Sequence, residues 1–230
     1  MRQAGNRRKV VYIISHIDRA IGFEWIVEKL DRSLFDLSFI LLNDQPSWLA
    51  RHLREKGVTV YELPVGSRWR MPFLLLKVMN ILRRERADVI HTHMYVADMI
   101  GLLAGKILRV KKRIYTRHSS NESRKYHKKS NINRLVNSLS TQILAISENV
   151  RNILITEENV KPGKIRLIHH GFDLERFSQV SQKDIEALSQ KYNPQQKRPV
   201  IGVVARYSHW KGIQYSIAAF KRLLADHPDA

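Results

Sequence analysis

Short apolar runs alternate along the chain with segments in which apolar residues recur every three or four positions. The runs favour β-branched side chains, which is typical of buried strands. Seven runs precede residue 170: Lys9–Ser15, Leu37–Leu42, Val58–Leu63, Asp88–Met94, Arg113–Thr116, Gln142–Ile146 and Lys164–Ile168. Helical periodicity follows at Phe23–Leu30, Trp48–Lys56, Phe73–Arg86, Ala97–Ile107 and Glu148–Ile155. This alternation predicts an α/β fold with a doubly wound parallel sheet.

The pattern changes after residue 178. The next twenty residues are polar and read as a connector with a short helix near Ile185–Tyr192. The β-branched run Val200–Ala205 predicts one more buried strand, and apolar residues at helical spacing after Gly212 predict a helix. The sequence therefore predicts an N-terminal domain at 1–178, a connector at 179–198 and the first strand and helix of a second domain at 199–230.

Charge is the unusual feature of the composition. The net charge is +19, which favours anionic partners such as nucleic acid, an acidic membrane face or phosphorylated substrates. The chain has no cysteine, so disulfides and thiolate chemistry are excluded. The apolar run Val10–Ile14 is too short for a signal peptide, and no stretch reaches the ~20 apolar residues of a membrane span. We therefore expect a cytoplasmic protein.

The turn between the last predicted strand and helix carries two cations. Arg206 lies at the carboxyl end of the strand and Lys211 at the start of the helix, the edge where open α/β sheets bind ligands. A planar guanidinium and a mobile ammonium suit a diphosphate. The alternative is two surface cations beside an ordinary turn.

Three histidines lie on or beside neighbouring predicted strands. A period of two places His91 and His93 on one face of their strand, and His118 follows the next strand. These imidazoles could hold a metal ion, but no carboxylate has ligand spacing to them. Hydrogen-bonded histidines at strand ends are the simpler interpretation.

Several of these segments resemble glycosyltransferase family 4. In that family the second domain opens with Arg, four residues and then Lys-Gly, which Arg206, Lys211 and Gly212 match within GVVARYSHWKG. The segments RADVIHTHMYVADMIGLLAG and RIYTRHSS resemble strands that end at cleft histidines, matched by His93 and His118. ILAISENV and KPGKIRLIHHGFDLERF resemble two further family segments, the second with His170 in place of the usual Asn and Phe172 in place of the usual Ile.

The resemblance implies a GT-B-type, Rossmann-like fold and a retaining transferase. Such an enzyme moves a sugar from a nucleotide-diphosphate donor to a glycan or lipid-linked acceptor, in the synthesis of cell-envelope or extracellular polysaccharide. It implies that Arg206, Lys211 and Gly212 bind the donor phosphates without a metal or other cofactor. His118 and His93 would orient the acceptor hydroxyl or the transferred sugar. Gly22 would approach a substrate phosphate, although the family's usual first glycine of that pair is Ile21 here.

The resemblance also raises an alternative. The family's second domain continues past its first helix and includes a Glu-seven-residues-Glu element, so we expect the second domain to be incomplete at Ala230. A truncated, non-catalytic remnant that binds acceptor or membrane is the alternative function. A nucleic-acid binder is a weaker one, because neither a recognition helix nor an aromatic-studded basic sheet is evident.

Cations and apolar residues mix at the start of the third helix. Arg68, Trp69, Arg70 and Phe73 there could lie in a lipid headgroup layer, with a helix start packed on the core as the alternative. Two basic segments reinforce the membrane interpretation. They comprise Arg68, Arg70, Lys77, Arg83, Arg84 and Arg86 in the first, and Lys111, Lys112, Arg113, Arg117, Arg124, Lys125, Lys128, Lys129 and Arg134 in the second. The sequence thus predicts a peripheral position on the inner face of the plasma membrane, with a solvated basic surface as the alternative.

Overall fold

The computed structural model describes residues 7–118 and 130–228. It divides the chain into two compact units, Met1–Phe172 and Asp173–Ala230. The second unit thus includes all of the predicted connector, 179–198, together with the last helix.

The first unit is built on one seven-stranded parallel sheet. Its strands lie in the order β3-β2-β1-β4-β5-β6-β7, and every neighbouring pair is parallel. They are β1 (Arg8–Ser15), β2 (Phe35–Leu42), β3 (Thr59–Leu63), β4 (Val89–His93), β5 (Lys112–Arg117), β6 (Gln142–Ala145) and β7 (Ile165–Leu167). The predicted fold class and all seven predicted strands of this unit are therefore confirmed, with ends that shift by one or two residues.

Helices cover both faces of the sheet. The helices are α1 (Ile21–Lys29), α2 (Trp48–Glu55), α3 (Met71–Arg84), α4 (Tyr95–Ile107), α5 (Ser130–Leu139) and α6 (Glu148–Thr156). One apolar cluster joins α1 and α2 to β1 and β2 through Phe23, Leu49 and Phe39. A larger cluster on the other face includes Val78, Leu102 and Leu154 from α3, α4 and α6. The chain thus changes face between β3 and β4.

Local signals explain where several helices begin and end. The Ser47 and Ser147 hydroxyls accept hydrogen bonds from the amides of Ala50 and Val150 and so cap α2 and α6. Gly57 lies just beyond α2 with a φ of 72°, which a glycine adopts without the strain that a Cβ would introduce.

Two glycines let α4 lie unusually close to the sheet. A Cβ on Gly101 would be 2.8 Å from the side chains of Ile13 and Thr92, and one on Gly105 would be 2.3 Å from Ile90 Cδ1. Both distances are far below van der Waals contact, so with any larger residue either these side chains or the helix would have to shift.

The second unit is helical where it is regular. It contains α7 (Glu175–Ser178), α8 (Gln182–Tyr192) and α9 (Ile213–Asp226), which confirms the predicted helices near Ile185 and after Gly212. The predicted strand Val200–Ala205 is wrong, because this segment has no regular structure and all six residues are exposed. A strand needs a neighbour for its backbone hydrogen bonds. The described part of this unit contains no strand with which Val200–Ala205 could pair.

Candidate functional site

The direction of winding reverses between β1 and β4 in the sheet. These strands are neighbours, yet α1 follows β1 onto one face and α4 follows β4 onto the other. Such a reversal opens the sheet edge to ligands. Met94 connects β4 to α4 with a φ of 76°, a left-handed conformation that costs a non-glycine residue free energy and is frequent at functional sites.

Two of the predicted site residues meet at this edge. His93 is the last residue of β4, His118 directly follows β5, and 2.9 Å separates His93 Nδ1 from His118 Nε2. One of these nitrogens donates the shared proton and the other accepts it. The pair joins the ends of two adjacent strands.

Aromatic rings enclose His93. Its ring centroid lies 4.9 Å from that of Phe23, in an edge-on contact, and 5.8 Å from that of Tyr12. The residue is only 7% exposed, and among the described residues no group bonds to its Nε2. His91 lies on the same face, 4.3 Å from the His93 ring, and its Nε2 pairs with Thr116 Oγ1. The predicted shared face of His91 and His93 is therefore confirmed.

Burial holds these imidazoles in the neutral form. Desolvation, with the neighbouring His118, lowers the pKa of His91 to about 3. Desolvation also lowers the pKa of His93 well below its usual value, and His91, His118 and His170 add to this. Desolvation and His170 lower the pKa of His118 to about 4, although the residue as a whole is exposed. At neutral pH the pair can therefore both donate and accept hydrogen bonds.

We expect the first unit to lose stability between pH 7 and pH 5. The unfolded chain binds protons below its histidine pKa of about 6.5, whereas buried His91 and His93 stay neutral, so acid favours unfolding. Each of the two contributes up to about 2 kcal/mol of this loss at pH 5. Urea unfolding at the two pH values measures it. His93→Phe, which keeps a ring among the aromatic neighbours, should flatten the pH dependence.

His169→Gln is the matched control for this experiment. His169 is exposed and lies outside the buried ring cluster, so its replacement should keep the part of the pH dependence that this cluster causes. An equally steep pH dependence in the His93→Phe variant and the wild type would show that His93 is protonated in the folded protein.

A buried polar network fixes the strand end that carries His118. Glu158 accepts hydrogen bonds from Arg117 Nη2 at 2.8 Å, Asn133 Nδ2 at 3.1 Å and Asn137 Nδ2 at 2.7 Å. All four residues are buried, and the Tyr115 hydroxyl donates to Asn137. The network therefore ties β5 to α5 and to the segment after α6, immediately before His118.

His170 is a site residue that the sequence interpretation missed. It follows β7, and its ring stacks beside that of His118 with centroids 5.9 Å apart. The available signal was that four parallel strands, β1, β4, β5 and β7, each end in a histidine or are followed by one within three residues. Across residues 7–118 and 130–228, no group of three His, Asp or Glu side chains is arranged to hold a metal ion.

Gly22 lies at the same edge as the histidines. It is the second residue of α1, is exposed, and has no atom within 4 Å of a Cβ placed on it. Its surroundings would thus accept alanine, and the structure adds no packing reason for a glycine here.

The predicted phosphate-binding residues lie together in the second unit. Arg206 and Lys211 are exposed, and Lys211 ends a short 3-10 turn, His209–Lys211. Gly212 follows with a φ of 71° as the residue before α9, a conformation that suits glycine. Lys211 therefore lies two residues before the first residue of a 14-residue helix, whose dipole favours anions at its amino terminus, and Arg206 lies five residues before Lys211 along the chain.

Similar proteins are glycosyltransferases. The capsular polysaccharide biosynthesis glycosyltransferase CapM of Staphylococcus aureus is 29% identical over 160 residues, which cover 66% of this chain and 41% of CapM. The UDP-Gal:alpha-D-GlcNAc-diphosphoundecaprenol alpha-1,3-galactosyltransferase of Escherichia coli is 27% identical over 109 residues, which cover 45% of this chain and 28% of that enzyme. The chain thus spans less than half the length of either relative.

A solved structure shows the same fold. Anabaena Alr3699/HepE in complex with UDP-glucose matches with a TM-score of 0.74 at 20% identity, covering 93% of this chain and 57% of that protein. This likeness supports the GT-B-type, Rossmann-like architecture. Residues 26–176 match the profile of Glycosyltransferase Family 4. Because that match spans more than half of the chain, the chain belongs to glycosyltransferase family 4.

Proposed function

We propose that the protein transfers a sugar from a nucleotide-diphosphate donor to a glycan or lipid-linked acceptor in polysaccharide synthesis. The observation that carries the proposal is the neutral His93–His118 pair at the carboxyl edge, beside the reversal between β1 and β4. CapM acts in capsular polysaccharide biosynthesis, and the Escherichia coli relative acts on a diphosphoundecaprenol-linked sugar. Alr3699/HepE binds UDP-glucose, which supports a nucleotide sugar as donor.

In this proposal the histidines orient hydroxyl groups. A neutral imidazole offers one N–H donor and one acceptor nitrogen, and a sugar hydroxyl can pair with either. His93 and His118 share one proton between them, so the second ring nitrogen of exposed His118 is left for a sugar hydroxyl, whereas the second nitrogen of His93, Nε2, is buried. Neutrality also avoids repulsion with the nearby cations of this strongly basic chain.

In this proposal, residues of the second unit bind the departing diphosphate. Negative charge grows on the leaving group as the glycosidic bond breaks, and fixed positive charge stabilises that transition state. Arg206, Lys211 and the start of α9 supply such charge, so the proposal includes neither a divalent metal nor a cofactor besides the donor. Retention of the anomeric configuration is part of the same proposal.

The direct test is a transfer assay on the complete gene product. Radiolabelled UDP-sugars are supplied one at a time with a diphosphoundecaprenol-linked sugar or a capsular oligosaccharide as acceptor. We expect one donor and acceptor pair to yield a longer, labelled product, and its anomeric configuration by NMR tests retention. Donor binding without any transfer would contradict the proposal and indicate a non-catalytic acceptor-binding protein.

We also propose that the protein lies peripherally on an anionic membrane face. Trp69, Phe73 and Leu76 are 89%, 67% and 60% exposed, and their spacing places them on one side of α3 and the turn before it. We call these three residues the α3 ridge. Exposed Arg70 and Lys77 flank the ridge, which fits a lipid headgroup layer. No helix in the described part of the chain is long and apolar enough to cross a bilayer.

Glu85, the acidic residue within the first basic segment, does not neutralise the cations beside the α3 ridge. Glu85 pairs with Lys9 Nζ at 2.6 Å and accepts a hydrogen bond from the Tyr61 hydroxyl at 2.6 Å. Both partners lie on β1 and β3, so the carboxylate points toward the sheet. The cations of α3 therefore face solvent without a carboxylate from their own helix.

Part of the second basic segment is not surface charge. Arg117 is buried in the ion pair with Glu158, and Arg113 donates hydrogen bonds to the carbonyls of Val110 and Leu139. Their inclusion among membrane-facing cations was wrong, because Arg117 is buried in its ion pair and the Arg113 guanidinium is directed at backbone carbonyls. Arg124, Lys125, Lys128 and Lys129 lie outside the described residues. The membrane proposal consequently relies on the α3 ridge.

We expect sedimentation with vesicles that contain anionic lipid, weaker binding at high salt, and little binding to neutral vesicles. Trp69→Ser with Phe73→Ser should weaken binding at least tenfold, since both side chains would otherwise leave water. Leu34→Ser with Phe172→Ser removes exposed apolar groups elsewhere and should have little effect. Equal, negligible binding to both vesicle types would contradict the membrane proposal and favour a soluble acceptor.

A further inference from the structure

A basic cavity lies at the opposite edge of the sheet from the histidines. Its volume is about 890 Å³, and it lies where β1, β4 and β5 begin and where α3 and α4 end. Because the strands are parallel, this amino-terminal edge is separated from the carboxyl edge by the length of the strands. The cavity is therefore distinct from the proposed acceptor site.

Positive charge dominates the lining of this cavity. The lining cations are Arg7, Arg8, Arg83, Arg86, Arg109, Lys111 and Lys112. One carboxylate, that of Asp88, also lines the cavity, and it accepts a hydrogen bond from the backbone amide of Lys9. Within residues 7–118 and 130–228, no ion pair joins any of these seven cations to a carboxylate.

Helix dipoles do not account for so many cations. The carboxyl ends of α3 and α4 each present about half a negative charge. Together with Asp88 they offset about two of the seven positive charges, so an excess of about five remains. A sphere of this volume is about 12 Å across, comparable to the ~8 Å Debye length at physiological salt. The cations therefore repel one another unless an anion enters.

Backbone conformation singles out two of the arginines. Arg86 and Arg109 follow α3 and α4 with φ values of 50° and 56°, the left-handed conformation in which helices usually place glycine. Their amides close the helix ends on the carbonyls of Arg83 and Lys106. A non-glycine residue is strained here. Both positions nevertheless carry an arginine whose side chain lines the cavity, which fold stability does not require.

We propose that this cavity binds a compact oligophosphate. Guanidinium groups pair with phosphate oxygens in two-pronged hydrogen bonds, and several arginines around one cavity suit more than one phosphate group. Soluble polyphosphates and phosphorylated lipid headgroups share this chemistry. The assignment is independent of the proposed sugar transfer, because it uses different residues at a different edge of the sheet.

The test measures tripolyphosphate binding by isothermal titration calorimetry at fixed ionic strength. We expect wild-type protein to bind and Arg86→Gly with Arg109→Gly to bind at least tenfold more weakly, without loss of thermal stability. Glycine relieves the strained backbone at both positions, so this variant separates anion binding from folding. Arg51→Gln with Lys221→Gln removes the same net charge from exposed helix positions outside the cavity and should stay within twofold of wild type.

Amide chemical shifts locate the bound anion. Tripolyphosphate should perturb the amides of residues 83–89 and 108–112 in wild-type protein. Unchanged affinity in the glycine variant, an equal loss in the control variant, or perturbations confined to residues 206–216 would overturn the proposal.

Vesicles distinguish the two sources of phosphate. Phosphatidylcholine vesicles with and without phosphatidic acid are compared for wild type and for the glycine variant. If the glycine variant loses binding both to tripolyphosphate and to vesicles with phosphatidic acid, the ligand is a lipid headgroup. If the variant loses only tripolyphosphate binding, the ligand is a soluble phosphate. Trp69→Ser with Phe73→Ser should leave tripolyphosphate affinity unchanged, because the α3 ridge is at the other end of α3.

Discussion

Replacing Arg206 and Lys211 together by alanine should lower sugar transfer by roughly 10²–10⁴-fold in the complete gene product. Each side chain can form a charge-assisted hydrogen bond, worth roughly 1.5–3 kcal/mol, to a diphosphate that gains charge in the transition state. Both are exposed and lie just before α9, so their removal should leave folding intact. Initial rates at saturating donor measure the effect.

Lys221→Ala with Arg222→Ala is the matched control. These two cations are exposed on the same helix, more than two turns beyond its start, and their loss should change turnover by less than twofold. Wild-type turnover in the Arg206→Ala, Lys211→Ala variant would show that this loop is not part of the donor site. A similar fall in the control would indicate that general charge, rather than the helix start, is responsible.

Glu158→Gln should lower the free energy of unfolding of the first unit by about 3–5 kcal/mol. Glutamine is nearly the same size but carries no charge, so it would leave the Arg117 guanidinium buried without its counter-ion. Its amide group would also present N–H donors where Asn133 or Asn137 already donates. Urea unfolding at pH 7 is the measurement.

The neighbouring residue provides the control for this experiment. Glu157 is exposed, and Glu157→Gln should change stability by less than about 0.5 kcal/mol. Arg117→Met with Glu158→Leu should be more stable than Glu158→Gln alone, because no charge is left buried. A Glu158→Gln protein within 1 kcal/mol of wild type would mean that water reaches the Arg117 guanidinium.

Local sequence patterns predicted the first unit well. A run such as Leu37–Leu42 is apolar because helices cover both faces of its strand. In such a buried strand the backbone N–H and C=O groups form their hydrogen bonds with the neighbouring strands. The same reasoning failed for Val200–Ala205, which has the composition of a strand. Composition describes a preference, and a strand forms only where another strand accepts its hydrogen bonds.

The parts of the site that the sequence did not predict depend on distant contacts. Arg117 ends β5 in a basic stretch and looks like surface charge until Glu158, 41 residues later, is placed beside it. His170 likewise meets His118 only through the order of β5, β6 and β7 in the sheet. The positions of His93 and His118 were predictable because parallel strands bring their carboxyl ends to one edge.

Gly105 couples the packing at one end of α4 to the position of the other end. It lies ten residues beyond Tyr95, which is ~15 Å along the helix axis from the start of α4. A methyl group on Gly105 would come within 2.3 Å of Ile90 Cδ1, so either the Ile90 side chain or the helix would have to move. Where the helix moves, its first turn shifts relative to His93, and a residue remote from the proposed acceptor site then alters that site.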